Sequence, residues 1–200
     1  MIRRLSVRLI GGFLLLLLMP SSVLAYNPAN AAAYADGWWN SYNLGWPVYG
    51  SDCTNFVSQA VWSGGYPMDY SANNPWYAYY NAGWHTSLSW SIVQNNRGFY
   101  LTDLPGGYVV NSFYGVKTAS VSGVQGDIIY YAWYGDTGFA TNSHEAVITV
   151  TNGRATSTAD TGALVDAHTN PRYHEYWTLY YWNTDWWRTY YEVVHILPCN

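Results

Sequence analysis

Residues 51–59, SDCTNFVSQ, predict a helix that begins at a cysteine. From Cys53 onward, residues at helical spacing share one side of that helix: Cys53, Phe56, Val57, Ala60 and Val61. Gly64 and Gly65 end the helix, and Pro67 prevents it from resuming. Because a helix N-terminus carries partial positive charge, it favours the thiolate of Cys53. The alternative is a small apolar residue at a buried position.

A later stretch, SHEAVI at residues 143–148, predicts a strand that starts at His144. Successive side chains of a strand alternate between its two faces, so His144 lies with Ala146 and Ile148. We expect this apolar face to be covered by helices, which would bring the imidazole to Cys53 as general base. Glu145 falls on the other face in this scheme. The alternative is a histidine hydrogen-bonded at the sheet edge.

A third polar residue would orient the imidazole through its second nitrogen. The candidates lie in residues 165–170, VDAHTN, and the pattern does not choose among them: Asp166, His168 and Asn170. A metal is not predicted, because SHEAVI lacks the second histidine of a zinc-protease helix and His168 and His174 lack a third ligand. No cofactor is predicted either.

The first 25 residues predict a secretory signal peptide. A basic start is followed by an apolar run that is too short for a membrane span and by small residues before the expected cleavage after Ala25. We expect a secreted protein whose residues 26–200 form one domain, without membrane attachment after cleavage. An uncleaved anchor is the alternative.

Composition narrows the class of partner. Without the three arginines of the leader, five basic and twelve acidic residues remain, a net charge of −7, which argues against nucleic acid. Charged residues make up only 10% of the chain, whereas there are 12 Trp and 21 Tyr. Exposed rings would suit carbohydrate or peptide as a partner.

We expect a monomer. Cys53 and Cys199 could form a disulfide, although Cys199 is the penultimate residue.

The order of elements predicts an α+β domain, with helices first and a largely antiparallel sheet after them. Asn27 and Pro28 start the first helix, which should end near residue 42. The aromatic segment 66–107 is irregular apart from a helix near residues 87–95. A short helix is expected at 109–113, and strands at 128–133, 144–151, 154–158, 164–169, 177–182 and 190–197, with a tight turn at Asn152 and Gly153.

In order along the chain, these motifs resemble the putative amidase domain family: Tyr34-Ala35-Asp36, Trp39 to Asn43, Asp52 to Gln59, Gly64-Gly65, Ser89-Trp90, Gly126 to Ile129, His144 and the segment AHTN at 167–170. The resemblance spans residues 30–197. It implies a papain-like fold of the NlpC/P60 and CHAP type, in which the cysteine helix packs on an antiparallel sheet. It also implies Cys53 as nucleophile, His144 as base and His168 as third residue, with Asn170 as the alternative.

The leading hypothesis is therefore a secreted cysteine amidase or peptidase that cleaves peptidoglycan stem peptides or a related amide. Asp52 is expected to cap the helix, and Tyr42 or Tyr49 to donate to the oxyanion. Two other classes stay open. One is an acyl transferase with the same residues, and the other is a non-catalytic glycan-binding module. The aromatic residues expected at a substrate surface are Trp76, Trp84 and Trp90.

Overall fold

The computed structural model describes residues 25–71, 73–103, 106–133, 135 and 143–198. The predicted leader, apart from Ala25, lies outside these residues, as does Cys199. Within the part of the chain that is described, no helix is long and apolar enough to cross a membrane.

Two helices open the described fold and begin where the sequence predicts, although the first ends at Trp38 and not near residue 42. Helix α1, Pro28–Trp38, is capped by Asn27, whose side-chain oxygen accepts from the backbone N–H groups of Ala29 and Asn30. Helix α2, Cys53–Ser63, is buried from its first residue through Val61. The shared side predicted from Cys53, Phe56 and their helical neighbours is therefore confirmed as core.

The aromatic segment after α2 holds short elements: strands β1 (Ala78–Tyr80) and β2 (Trp84–Thr86), helices α3 (Leu88–Ser91) and α4 (Val93–Gly98), and a π-helical turn at Phe99–Asp103. The first two of these elements pair as an antiparallel hairpin. The helix expected near 87–95 is thus two consecutive short helices that meet at Ile92.

Six further strands follow: β3 (Gly107–Tyr114), β4 (Ile128–Ala132), β5 (His144–Arg154), β6 (Thr161–Ala167), β7 (Arg172–Tyr176) and β8 (Tyr190–Ile196), with a 3-10 turn at Trp186–Arg188 before the last. They form one sheet in the order β3-β8-β4-β5-β6-β7, and every neighbouring pair is antiparallel. The architecture is α+β.

Three local predictions are wrong. Residues 109–113 lie within β3 and form no helix, because this segment pairs with β8. Asn152 and Gly153 make no turn, since β5 continues to Arg154, and the strand expected at 154–158 is replaced by a return that begins at Thr161. Residues 177–182 form turns, with Leu179 at φ 52°, so the expected strand is absent there.

The turn before β4 shows why a glycine is needed there. Gly126 has φ of 84°, and a Cβ at this position would lie 2.7 Å from the Cα of Pro28, at the start of α1. A side chain would therefore strain the backbone and push the turn away from α1. This close approach joins the sheet to the N-terminal helix.

The two faces of the sheet bury different residues. Ile128, Tyr130 and Val147 belong to the core that surrounds α1 and α2. Ile129 and Ala146, on the same strands, belong to a second core together with Ile148, Tyr131 and Trp177. Strand alternation therefore divides β4 and β5 cleanly between a helix face and an opposite face.

The tryptophans predicted to contact substrate are placed differently. Trp76 and Trp90 are each 0% exposed and belong to the core around α2, so their assignment to a surface is wrong. Their indole N–H groups donate to Ser58 and Asn55 of α2, at 3.0 and 2.8 Å. Trp84 is 36% exposed and stacks on Trp46. Large rings that can reach polar partners are well suited to burial.

Trp76→Ala is expected to lower the free energy of unfolding by about 4 kcal/mol, because it leaves a cavity and removes a donor from Ser58. Trp84→Ala, the matched control, should cost less than about 1 kcal/mol, since its ring is partly solvated. Urea denaturation of both variants checks this prediction. Equal losses in the two variants would contradict the difference in burial.

Candidate functional site

Cys53 begins α2 as a free, buried thiol, with only 4% of the residue exposed. The backbone carbonyl of Asp52 accepts from the N–H of Phe56 at 2.9 Å, which closes the first turn of the helix. The predicted position of Cys53 at a helix N-terminus is therefore confirmed. Its sulfur lies 4.0 Å from the hydroxyl of Thr54.

Glu145 is the titratable residue next to this thiol. It is fully buried, and neither carboxyl oxygen has a hydrogen-bond partner among the described residues. Burial raises the pKa of Glu145 to about 8, against a smaller opposing effect of the nearby Thr54 hydroxyl. Glu145 is therefore largely protonated at neutral pH.

The surroundings of Cys53 disfavour the thiolate. Burial, and after it the Glu145 carboxylate, raise the pKa of the thiol to about 12, although the backbone amide of Glu145 favours the ionised form. The difference from the ordinary value of 9.0 corresponds to about 4 kcal/mol. A helix N-terminus supplies about 1 kcal/mol or less, so burial dominates. The expectation of an activated thiolate is wrong for this arrangement.

His144 lies on the face of β5 opposite Glu145. Its ring packs on Tyr131 and Trp133, with ring centroids 5.6 and 5.8 Å apart, and Tyr131 belongs to the second core. The prediction that His144 faces the helices is therefore wrong. Both faces of the sheet are covered by apolar residues. The apolar character of Ala146 and Ile148 therefore did not indicate which face packs on the helices.

The imidazole of His144 instead lines a cavity of about 290 Å³. The other residues around this cavity are Trp133, Asn170, Arg172, Leu179, Trp182 and Asn183. Burial, with a further contribution from the Arg172 guanidinium, lowers the pKa of His144 to about 4. The ring is therefore neutral at neutral pH and can accept a hydrogen bond.

The second predicted histidine, His168, is paired with Asp52. Its Nδ1 lies 2.8 Å from Oδ2 of Asp52, and both side chains are almost completely buried. The carboxylate thus fixes one ring nitrogen and leaves Nε2 for a second interaction. Oδ1 of the same carboxylate accepts from the backbone N–H of Tyr49 and the amide of Asn55.

This pairing corrects the role expected of Asp52. The residue does stand at the N-cap position, but its side chain makes no capping hydrogen bond. The carboxylate is directed to His168 instead. The residue immediately before the candidate nucleophile therefore holds a histidine.

Two rings confine the His168 imidazole. Phe56 stacks on it at 4.9 Å, and Tyr42 meets it edge-on at 4.7 Å. Tyr42 therefore contacts the predicted third residue and supports its orientation. Tyr49, the other expected oxyanion donor, has its hydroxyl 2.7 Å from that of Thr86.

The turn after β6 joins these groups. Thr169 has φ of 74°, and its hydroxyl accepts from the backbone N–H of Asp52 at 2.7 Å. His168 on one side of Thr169 reaches α2, whereas Asn170 on the other side lines the cavity with His144. The predicted residues thus fall into two neighbouring groups at one end of the sheet.

Glu145 and Arg172 are functional candidates that the sequence did not single out. Glu145 was assigned to the wrong face of its strand, and an isolated arginine carries no recognisable motif. The sequence shows only that Glu145 lies at the start of an apolar strand. That pattern does not indicate which face of the strand is turned toward the helices.

The fold and this cysteine-bearing helix can now be compared with known proteins. The chain belongs to the putative amidase domain family, whose sequence profile matches residues 25–191. It is 28% identical over 162 residues to the uncharacterized protein YhbB of Bacillus subtilis (strain 168). That similarity covers 76% of this chain and 44% of YhbB, so the chain spans less than half the length of that relative. No solved structure matches the chain.

Family membership points to a hydrolase that acts on amides. It identifies neither the catalytic group nor the substrate, which the site itself must supply.

Cys53 in the folded protein is expected to react slowly with iodoacetamide, because a thiol with a pKa of about 12 is almost entirely protonated at pH 8. The native chain should label at least about 100-fold more slowly than the urea-unfolded chain. Peptide mapping assigns the label to Cys53. Rapid labelling of the native protein at mildly acidic pH would contradict the prediction.

Glu145→Gln is expected to weaken the pH dependence of stability, to which the buried Asp166 also contributes. With a folded pKa of about 8 against an ordinary 4.5, the native chain keeps a proton that the unfolded chain releases between these values. Glu145 alone should make the wild-type free energy of unfolding fall by up to about 5 kcal/mol as pH rises through this window. Urea denaturation across this range measures the fall.

The control for this experiment is Glu175→Gln, a buried glutamate whose carboxylate accepts from the Ser157 hydroxyl. It should retain the wild-type decline with pH. A decline of the same size in Glu145→Gln would show that another group is responsible.

Proposed function

We propose that the chain is a cysteine-dependent amide hydrolase in which Cys53 is the nucleophile. The observation that carries this proposal is the buried pair of Asp52 and His168 at the N-terminus of α2, with the carboxylate on the residue directly before the cysteine. A nucleophile, a histidine and a group that orients the histidine are the three parts that such catalysis requires.

We assign the general base to His168, in place of His144. His168 packs on Phe56 of the helix that carries the thiol, whereas His144 lies on the opposite face of the sheet. Asp52 is then the positioning residue, and Tyr42 braces the ring. His168 thus takes the role of base that the family resemblance implies for His144, and Asp52 takes the orienting role implied for His168.

The reaction proceeds in two halves. His168 takes the thiol proton as the sulfur of Cys53 attacks the amide carbonyl, and the imidazolium then gives that proton to the departing amine. Water, deprotonated by His168, next attacks the thioester, releases the acid and restores the thiol. The backbone N–H of Cys53 at the helix N-terminus stabilises the oxyanion.

The resting thiol is covered and protonated, so the proposal requires substrate to uncover it at the start of β5. Cys53 is next to Glu145, and Glu145 follows the cavity-lining His144 along the strand. A substrate that displaces this strand end would both open the site and bring the thiol toward the His168 imidazole.

The cavity suggests what the substrate offers. Arg172 supplies positive charge, Asn170 and Asn183 supply amide donors and acceptors, and Trp133 and Trp182 supply flat apolar surface. This chemistry suits a peptide with a free carboxylate. We propose peptidoglycan stem peptides as the substrate class, with secretion through residues 1–25 and a papain-like arrangement of α2 on the sheet.

The binding-module hypothesis has lost its main support, since Trp76 and Trp90 are core residues. Acyl transfer would use the same residues as hydrolysis. Product analysis in the presence of an added amine separates the two reactions.

Activity on isolated stem peptides tests the proposal. Cys53→Ala should remove turnover while the circular dichroism spectrum stays native. His168→Ala should lower kcat by about 100-fold or more, as expected for loss of a general base. His144→Ala should chiefly raise KM, because the ring lines the cavity. His85→Ala, at an exposed position in the hairpin, is the matched control and should leave both constants unchanged.

Two outcomes would overturn parts of this assignment. A folded Cys53→Ala variant with full activity would exclude the cysteine mechanism. Loss of kcat in His144→Ala, with His168→Ala close to wild type, would return the base to His144.

A further inference from the structure

Three side chains of metal-ligating types, from separate elements, converge, and none of them is assigned to catalysis. Asp36 comes from α1, Asp166 from β6 and His174 from β7. One ligand atom from each lies within 4.8 Å of the other two. The sequence did not indicate this group of ligands around His174. Asp36 lies far from it along the chain, and Asp166 lies on another strand.

The hydrogen bonds of this group leave one oxygen unused. Asp166 is 0% exposed, and its Oδ1 accepts from the backbone N–H of His174 at 2.7 Å and from the Thr149 hydroxyl at 3.3 Å. Its Oδ2 has no hydrogen-bond partner within the described parts of the chain. A buried carboxylate oxygen without a partner is costly.

A second carboxylate adds to this cost. The carboxylate of Asp36 lies beside that of Asp166, since ligand atoms of the two side chains are within 4.8 Å of each other. Nε2 of His174 lies 2.8 Å from Oδ1 of Asp36. Two carboxylates and an imidazole thus face one another, and no side chain among the three carries a permanent positive charge.

We propose that Asp36, Asp166 and His174 bind a divalent transition-metal ion, best matched by Zn²⁺, that fastens α1 to β6 and β7. One imidazole nitrogen and two carboxylate oxygens form a donor set suited to such an ion, whereas Ca²⁺ prefers oxygen ligands alone. Ligands about 2.1 Å from a zinc ion lie roughly 3–4 Å from one another, so a small contraction closes the site.

The surroundings suit a site that exchanges with solvent. The side chain of Asp36 is 40% exposed and that of His174 is 24% exposed, which leaves an entry path and room for a bound water. The backbone N–H of His174 donates to Oδ1 of the buried Asp166, and this hydrogen bond holds the two proposed ligands in place relative to each other. None of the three residues is assigned to catalysis, and the ion would act on stability.

The test compares the chelator-treated full chain with and without Zn²⁺, using thermal unfolding and calorimetric titration. Wild type should show a higher Tm with Zn²⁺ and bind one equivalent. Mn²⁺ should give a smaller shift, and Ca²⁺ little or none. Cys53→Ala should keep the whole Zn²⁺ shift, which excludes binding at the thiol.

Asp36→Asn removes a partly exposed ligand and should fold. It should weaken Zn²⁺ affinity at least about tenfold and lose most of the shift. Asp166→Asn should abolish the shift, because it replaces the buried ligand oxygens with an amide. His85→Gln, an exposed histidine elsewhere, is the matched control and should behave as wild type.

A wild-type Tm that Zn²⁺ leaves unchanged would overturn the proposal. So would a full shift in Asp36→Asn, or a shift lost equally in His85→Gln. These readouts do not involve turnover, so they are independent of the proposed hydrolase activity.

Discussion

Helix α2 is buried on every side from Cys53 through Val61, and this constraint organises the structure. A buried helix that contains Asn55 and Ser58 needs polar partners inside the core, because unsatisfied polar groups are costly there. The indoles of Trp90 and Trp76 supply them, and the Asn96 amide adds a second hydrogen bond to Ser58. The aromatic segment thus packs against α2, and its hydrogen bonds hold the helix in the orientation that buries Cys53.

Strand β5 divides the candidate site into two compartments. Because its side chains alternate, Glu145 accompanies the thiol on the helix face, and His144 enters the cavity on the other face. The bond between Thr169 and the backbone of Asp52 ties the end of β6 to the start of α2 on the helix side. One strand end therefore separates the thiol from the cavity in which we place the substrate.

The strongest sequence patterns predicted the helices and the central strands well. The cap at Asn27 and the spacing from Cys53 depend on local chemistry, so they identify α1 and α2 directly. Residues 109–113 and 177–182 depend on tertiary pairing, which local propensity does not contain. The direction of His144 was missed for a similar reason. Both faces of the sheet are covered, so alternation predicts two sets of residues without indicating which set meets the helices.

The exposure of the aromatic residues and the pairing of His168 with Asp52 also depend on tertiary contacts that the sequence pattern does not contain. Composition predicted many exposed rings, but whether Trp76 or Trp84 is exposed depends on which ring finds a partner on α2. His168 was a candidate because of its strand position, whereas its bond to Asp52 joins residues 116 positions apart in the chain. A contact of that kind is visible only after the chain has folded.

The covered thiol has a consequence for the lifetime of the protein. Peroxides and disulfides react with thiolates, and burial beside Glu145 keeps Cys53 in the neutral form. In an oxidising medium such a cysteine resists conversion to sulfenic acid or a mixed disulfide. Under the mechanism proposed above, the chain would keep Cys53 chemically intact in such a medium and expose it only during a turnover.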